Sequence, residues 1–272
     1  MNRGSSTVPG NFADRIRSGE ILVGTVLSFP GTALTELASG PFDFVWIDLE
    51  HGALSVQEMQ NMAIGAKATG CAALARLPRY DAECLTAVLD AGLDGVVAPR
   101  IETASEAAEF AKFLRYPPLG TRGFGPRRAG AYGRGADFWK SAHSTLACLV
   151  QIETAKGLAA VEDIAAVSGI DAIVVGCADL SLALGTPLDV TSAPMIAAIR
   201  GVQTAATRAG VASGIAASGD PDAIAQLVAE ASTMVVYSAD VRIYSRAIDS
   251  AARSIFAVLG SRSQRAIRKA QE

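Results

Sequence analysis

Phe44-Val45-Trp46-Ile47-Asp48-Leu49-Glu50-His51-Gly52 sets four apolar residues, β-branched and aromatic, directly ahead of three ionisable side chains and a glycine. The apolar run reads as a strand buried on both faces, as in a parallel sheet. A barrel strand that ends in such a cluster delivers chemistry to the C-terminal mouth. The competing reading is a helix-capping loop with a solvated acidic pair. His51 is one of only two histidines in 272 residues.

The stretches on either side repeat the same rhythm. Strands are expected at 21–29, 71–77, 94–99, 147–152, 171–175, 211–217 and 233–237. Helices alternate with them. Ser55-x-x-Glu58 and Thr103-x-x-Glu106 are capping boxes, and Pro194 sits at the favoured first position of a helix that Gly210 ends. Residues 13–19 form a short helix that would close the barrel's bottom, and 241–259 form the last helix. Residues 261–272 make a polar, basic tail, read as a solvated helix end or frayed terminus. Eight strand-helix units without a linker predict a single-domain α/β (β/α)8 TIM barrel over residues 1–272. A doubly wound sheet is the alternative, but no GxGxxG follows the first strand. One long irregular segment, 119–141, is rich in glycine and arginine and is expected to lie over the mouth.

Composition narrows the function class. Half of the residues are apolar and 19% are charged, enough for a sizeable core. A net charge of −3 gives no attraction to nucleic acid or an anionic membrane. Cys71, Cys84, Cys148 and Cys177 stand singly, as in a reducing cytosol. The most apolar stretch, 164–184, is broken by Asp171 and Asp179, so no membrane span is expected. Residues 1–9 lack an apolar core and do not read as a signal peptide. A cytoplasmic enzyme is the expectation.

Asp48, Glu50, His51, Arg76, Glu153 and Asp179 all end strands or follow them. Glu153 and Asp179 are one βα unit apart, so they sit on adjacent strands and can share a divalent ion. Two oxygen donors without a nearby histidine pair favour Mg²⁺ or Mn²⁺ over Zn²⁺. Otherwise Glu153 is a helix-capping anion and Asp179 a turn residue. Arg76 either grips a carboxylate or enolate oxygen, or pairs with Asp48 or Glu50. Cys177 reads as a small packing residue and His143 as a surface residue. No lysine ends a predicted strand, which disfavours a Schiff-base mechanism.

Trp46-Ile-Asp-Leu-Glu-His-Gly52, Ala75-Arg-Leu-Pro78, Leu89-Asp-Ala-Gly92, Tyr116-Pro-Pro-x-Gly-x-Arg-Gly123, Val150-Gln-Ile-Glu-Thr154 and Gly176-x-Ala-Asp-Leu-Ser181 occur in this order. Together they resemble the HpcH/HpaI aldolase family of class II, pyruvate-dependent aldolases acting on 4-hydroxy-2-oxo acids. The resemblance implies Glu153 and Asp179 as ligands of a divalent metal (Mg²⁺, with Mn²⁺ or Co²⁺ as alternatives) and Arg76 as the enolate-stabilising arginine. It implies a His51–Asp48 acid/base dyad, and Asp90 reaching a neighbouring subunit's site. The turn Gly176-Cys177-Ala178 would face the pyruvate carboxylate, and Ala216 the aldehyde. A 2-oxo acid and an aldehyde are the implied small-molecule partners. A homohexamer that exchanges its last helix is the implied assembly. Four positions depart from the family pattern: Arg100, Cys177, Ala216 and Tyr237. A citrate-lyase-β-like acyl-CoA lyase typically shows Asp-Leu-Glu-Asp where this chain has Asp48-Leu49-Glu50-His51. A non-catalytic oxo-acid binder on the same scaffold is the other alternative, and the intact Asp48, His51 and Arg76 oppose it.

Overall fold

A computed structural model describes residues 11–79, 82–135, 137–228 and 231–271. The strands are β1 (Leu22–Leu27), β2 (Phe44–Asp48), β3 (Ala72–Arg76), β4 (Gly95–Ala98), β5 (Ala147–Ile152), β6 (Ala172–Gly176), β7 (Ala212–Ala217) and β8 (Met234–Ala239). They close into a parallel barrel in chain order, with β8 beside β1. The expected (β/α)8 fold is the observed one.

Side chains alternate across each strand, and that period sorts the core into two. Val45 and Ile47 of β2 point outward and join the larger core beneath the helices. Phe44 and Trp46 point into the barrel with Leu74, Leu149, Val174 and Val236. Gly24 leaves room for this filling, because a Cβ there would strike the Phe44 ring. Helix α1 (Phe12–Arg17) plugs the bottom, with Phe12 packed 5.4 Å from the Phe44 ring centroid. Continuing the same alternation one step upward brings Asp48, Arg76, Gln151, Gly176, Ala216 and Ser238 to the top of the interior. All six line one cavity at the C-terminal mouth.

The outer helices are α2 (Thr32–Ser39), α3 (Val56–Ala68), α4 (Ala82–Asp90), α5 (Ala104–Phe113), α6 (Phe138–Thr145), α7 (Ala155–Ala159), α8 (Val161–Ala165), α9 (Cys177–Ala183), α10 (Ala193–Ala209), α11 (Pro221–Val228) and α12 (Asp240–Gln271). Both capping boxes form, and Gly210 ends α10 in the left-handed region at φ 72°. Between β5 and β6 the chain forms two short helices, α7 and α8, that meet at Ala160. Helix α12 runs unbroken into the basic tail instead of fraying. Residues 1–10 and the side chains of 261–272 lie outside the described residues.

One expectation is overturned. The segment 119–141 follows α5, not β4, and a helix that returns from the mouth delivers the chain to the bottom. Accordingly, the Ala129 N–H donates to the Asp90 carbonyl at the end of α4, and Arg122 donates to the Leu89 carbonyl. The segment packs beside α1 and the start of β4. Its last residues, 138–141, open α6, so that part is helical and not irregular. The arginines of that segment are therefore remote from the mouth.

Candidate active site

The mouth cavity holds about 460 Å³, within the range of small-molecule sites. Its charged wall is built by β2, β3, β5 and β6. Arg76 and Asp48 are register partners at the ends of β3 and β2. The guanidinium grips Asp48 with two bonds, Nε to Oδ1 at 3.0 Å and Nη2 to Oδ2 at 2.6 Å. Its Nη1 lies 3.2 Å from Glu50 Oε2, and the group stands over Trp46. Both paired readings of Arg76 are thus realised, and it still lines the cavity. Burial works against its charge, yet the Asp48 bonds and the charges of Glu50 and Glu153 hold its pKa above the usual range.

Asp48 is not joined to the His51 imidazole. Its Oδ1 accepts the backbone N–H of Glu50 at 3.1 Å and of His51 at 3.3 Å, which shapes the loop. Both of its oxygens also accept from Arg76, so Asp48 joins the guanidinium to the backbone of the His51 loop. The imidazole is 66% exposed, with Nε2 3.8 Å from Glu50 Oε2. It stands at the rim of the cavity.

Glu153 is held from both sides. Its Oε1 accepts the Arg100 N–H at 2.8 Å, and its Oε2 accepts from Gln151 Nε2 at 2.6 Å. Gly176 permits this, because a Cβ there would lie 2.6 Å from Glu153 Oε2 and closer still to Gln151 Nε2. Burial first, then the charge of Glu50, raises the Glu153 pKa to about 7; Asp179 adds to the rise, and Arg76 and the Arg100 N–H oppose it. Glu50 is also raised, by burial and by Asp48 and Asp179, against Arg76 and His51. Gln151 Oε1 is buried without a hydrogen-bond partner, and Glu50 Oε2 is buried with its ion pair to Arg76. Asp179 lines the cavity from the first turn of α9.

This arrangement suits a hard divalent cation. Glu50 and Asp179 both raise the pKa of Glu153, and Asp179 also raises that of Glu50, a crowding that a dication would relieve. Among the described residues no group of three His, Cys, Asp or Glu side chains is arranged to hold a metal by itself. Two carboxylates, with further positions left to substrate and water, match the way Mg²⁺ is held. Asp90 is not brought to this mouth. It ends α4 at the opposite end of the barrel, 3.5 Å from Arg122 Nη2.

Residues 26–247 match the HpcH/HpaI aldolase/citrate lyase family. The chain belongs to that family. Hydroxypyruvate/pyruvate aldolase of Paraburkholderia phytofirmans is 37% identical over 218 residues, covering 77% of this chain and 84% of that protein. The 2-keto-3-deoxy-L-rhamnonate aldolase of Shigella sonnei is 32% identical over 88% of this chain and 90% of its own. The crystal structure of an HpcH/HpaI aldolase/citrate lyase family protein from Burkholderia cenocepacia superposes with a TM-score of 0.84 at 32% identity, covering 89% of this chain and 98% of that one. The protein is accordingly an aldolase, an enzyme of the carbon–carbon lyase class.

The four departures from the HpcH/HpaI pattern now have places. Cys177 is buried, its thiol 3.7 Å from the Val175 carbonyl and its pKa pushed up by burial to about 12, so it packs rather than reacts. Arg100 does not line the cavity; its backbone, at φ 51°, presents the N–H to Glu153, and its exposed side chain lies by Glu102. Ala216 lines the cavity. The Tyr237 hydroxyl donates to the Gly219 carbonyl and ties β8 to the loop after β7. Gln151 and Arg242 were not singled out from sequence. Gln151 carried a signal: a polar residue inside an apolar strand, two positions before Glu153. Arg242 carried none, because only the observed start of α12 turns it to the mouth.

Proposed function

We propose that this aldolase reversibly cleaves a 4-hydroxy-2-oxo acid to pyruvate and an aldehyde through a pyruvate enolate. The observation that carries the reading is the crowding of Glu50, Glu153 and Asp179 beside a locked Arg76, at a cavity that Arg76 and Asp179 line. Glu153 and Asp179 would hold a divalent cation, Mg²⁺ first, with Mn²⁺ or Co²⁺ as substitutes. When bound, that ion supplies Lewis acidity toward the 2-oxo acid. The backbone of Gly176, Cys177 and Ala178 faces the substrate carboxylate. Arg76, fixed by Asp48, presents its charge to the 2-oxo oxygen as the enolate forms, without reorganising. His51 takes the 4-hydroxyl proton, directly or through water. In this chain Asp48 serves by positioning Arg76.

The same reading makes the protein a homo-oligomer, with a hexamer as the family resemblance implies. Helix α12 touches the barrel at β1 and β8 near its start, then carries Tyr244, Ile248, Ile255 and Phe256 exposed. No described helix is long and apolar enough to cross a membrane, so a second copy is the natural cover for that face. The test of the reaction is cleavage of 4-hydroxy-2-oxo acids by protein stripped with chelator, then resupplied with Mg²⁺, Mn²⁺ or Co²⁺. Activity lost and restored supports it. Full activity in protein shown to be metal-free refutes it.

A further inference from the structure

Trp46 stands in the filling of the barrel, one step below the mouth. Its partners across the strands are Val26 on β1 and Leu74 on β3, and Asp48 and Arg76 hold the next inward positions above it. The side chain is 1% exposed and does not line the cavity. The filling around it is apolar, with Leu74, Leu149, Val174 and Val236. The indole N–H is accordingly buried without a hydrogen-bond partner among the described residues. Leucine or phenylalanine would occupy such a place without stranding a donor, and a stranded donor is costly. What an indole adds is the ring face best suited to a cation.

A cation lies over that face. The guanidinium carbon of Arg76 is 5.9 Å from the Trp46 ring centroid. The Arg76 side chain is 11% exposed, so the contact is largely dry, the condition in which a ring holds a cation best. Asp48 grips one edge of the guanidinium through Nε and Nη2, and Glu50 meets Nη1. These contacts fix the edges of the planar group and leave its faces to packing. Trp46 supplies that packing from below, where it blocks a tilt of the guanidinium into the barrel.

We propose that Trp46 is a positioning residue for Arg76, a floor that keeps the guanidinium aimed at the mouth and supports its charge as the enolate oxygen becomes negative. The inference rests on the aldolase reading above, because Trp46 acts on the enolate only through Arg76.

The test is calorimetric binding, with Mg²⁺, of two small mimics. Oxalate places a full negative charge where the enolate oxygen forms, and oxamate places a neutral amide carbonyl there. The wild-type protein should bind oxalate more tightly than oxamate, by about 10-fold or more. Trp46→Leu should weaken oxalate about 10-fold and oxamate by no more than about 2-fold, and Trp46→Phe, which keeps a ring, should fall between Trp46→Leu and the wild type. Trp46→Met is a second ringless variant, able to adapt to the space where leucine packs poorly. In the Arg76→Ala protein, adding Trp46→Leu should leave the ratio of the two affinities unchanged, because the ring then has no cation to hold. Equal weakening of both mimics in the ringless variants, or the same change of ratio without Arg76, overturns the role of Trp46. A wild type that binds oxalate no more tightly than oxamate overturns the enolate reading itself, and the role of Trp46 with it.

Discussion

Two of the barrel's arginine–aspartate clusters, one at each end, are built on opposite terms. At the bottom, Asp171 accepts from Arg17 at 2.9 Å and from the Cys148 N–H at 2.8 Å, with Arg115 3.7 Å away. Arg115 completes itself on the Leu146 and Gly169 carbonyls. Two cations and several dipoles surround one carboxylate, and the cluster closes. At the mouth, one guanidinium faces Asp48, Glu50 and Glu153; Glu153 titrates near neutrality, and the buried Gln151 Oε1 has no hydrogen-bond partner. A surplus of buried negative charge is expensive unless something positive arrives. The bottom cluster is a fastening and the mouth cluster a receptor, which matches the general division of labour between the faces of such barrels.

Breaking each cluster should give opposite phenotypes. The largest effect is expected for Arg76→Ala, a loss on the order of 10²–10³ in kcat for both aldol cleavage and oxaloacetate decarboxylation. Both reactions place negative charge on the same 2-oxo oxygen. Arg76→Lys should recover little, because an ammonium cannot make the two-pronged contact with Asp48. Steady-state kinetics of both reactions on the folded variants decide it; a variant that loses only one reaction would contradict the role.

His51→Ala should cost aldol cleavage roughly 10²-fold, the low end for a positioned base, because the imidazole is exposed and solvent can partly replace it. Oxaloacetate decarboxylation has no hydroxyl proton to remove at the cleavage step and should be largely kept. Equal losses in the two assays would make His51 a positioning group instead.

At the other end, Asp171→Asn should leave kcat unchanged and act on stability alone. It strips the carboxylate from two arginines, one of them buried, at a cost of about 3 kcal/mol, or roughly 6–12 °C in Tm for a chain of this size. Thermal unfolding followed beside kcat checks this. A fall in kcat with unchanged Tm would erase the contrast between the two ends.

The sequence exposed the fold because alternation and punctuation are local. The β2 run, the two capping boxes and Gly210 sit where the structure uses them. The positions of Glu153, Asp179 and Arg76 were also legible, since strand ends map to one face of a barrel. What failed was direction. The segment 119–141 was counted from its strand when its helix decides the face, whereas the pairing of Arg76 with Asp48 or Glu50 was among the sequence readings and is the register contact across the strands. Arg242 was invisible for a related reason. Its aim depends on where α12 leaves β8, a tertiary fact that no local pattern encodes.

The central claim, that the mouth is a carboxylate cluster in want of a cation, is tested most directly by calorimetric titration of Mg²⁺ and pyruvate into the wild-type protein, in buffers of different ionisation enthalpy. Glu153 titrates near 7, above its ordinary range, so it is mostly protonated at pH 6 and must lose that proton to bind a cation. Affinity should therefore weaken as pH falls through 7, with about one proton released per ion at pH 6 and almost none at pH 8.5. The pH-dependent release should vanish in Glu153→Gln. Binding of undiminished affinity at pH 6 without proton release, or the same release in Glu153→Gln, would contradict the account.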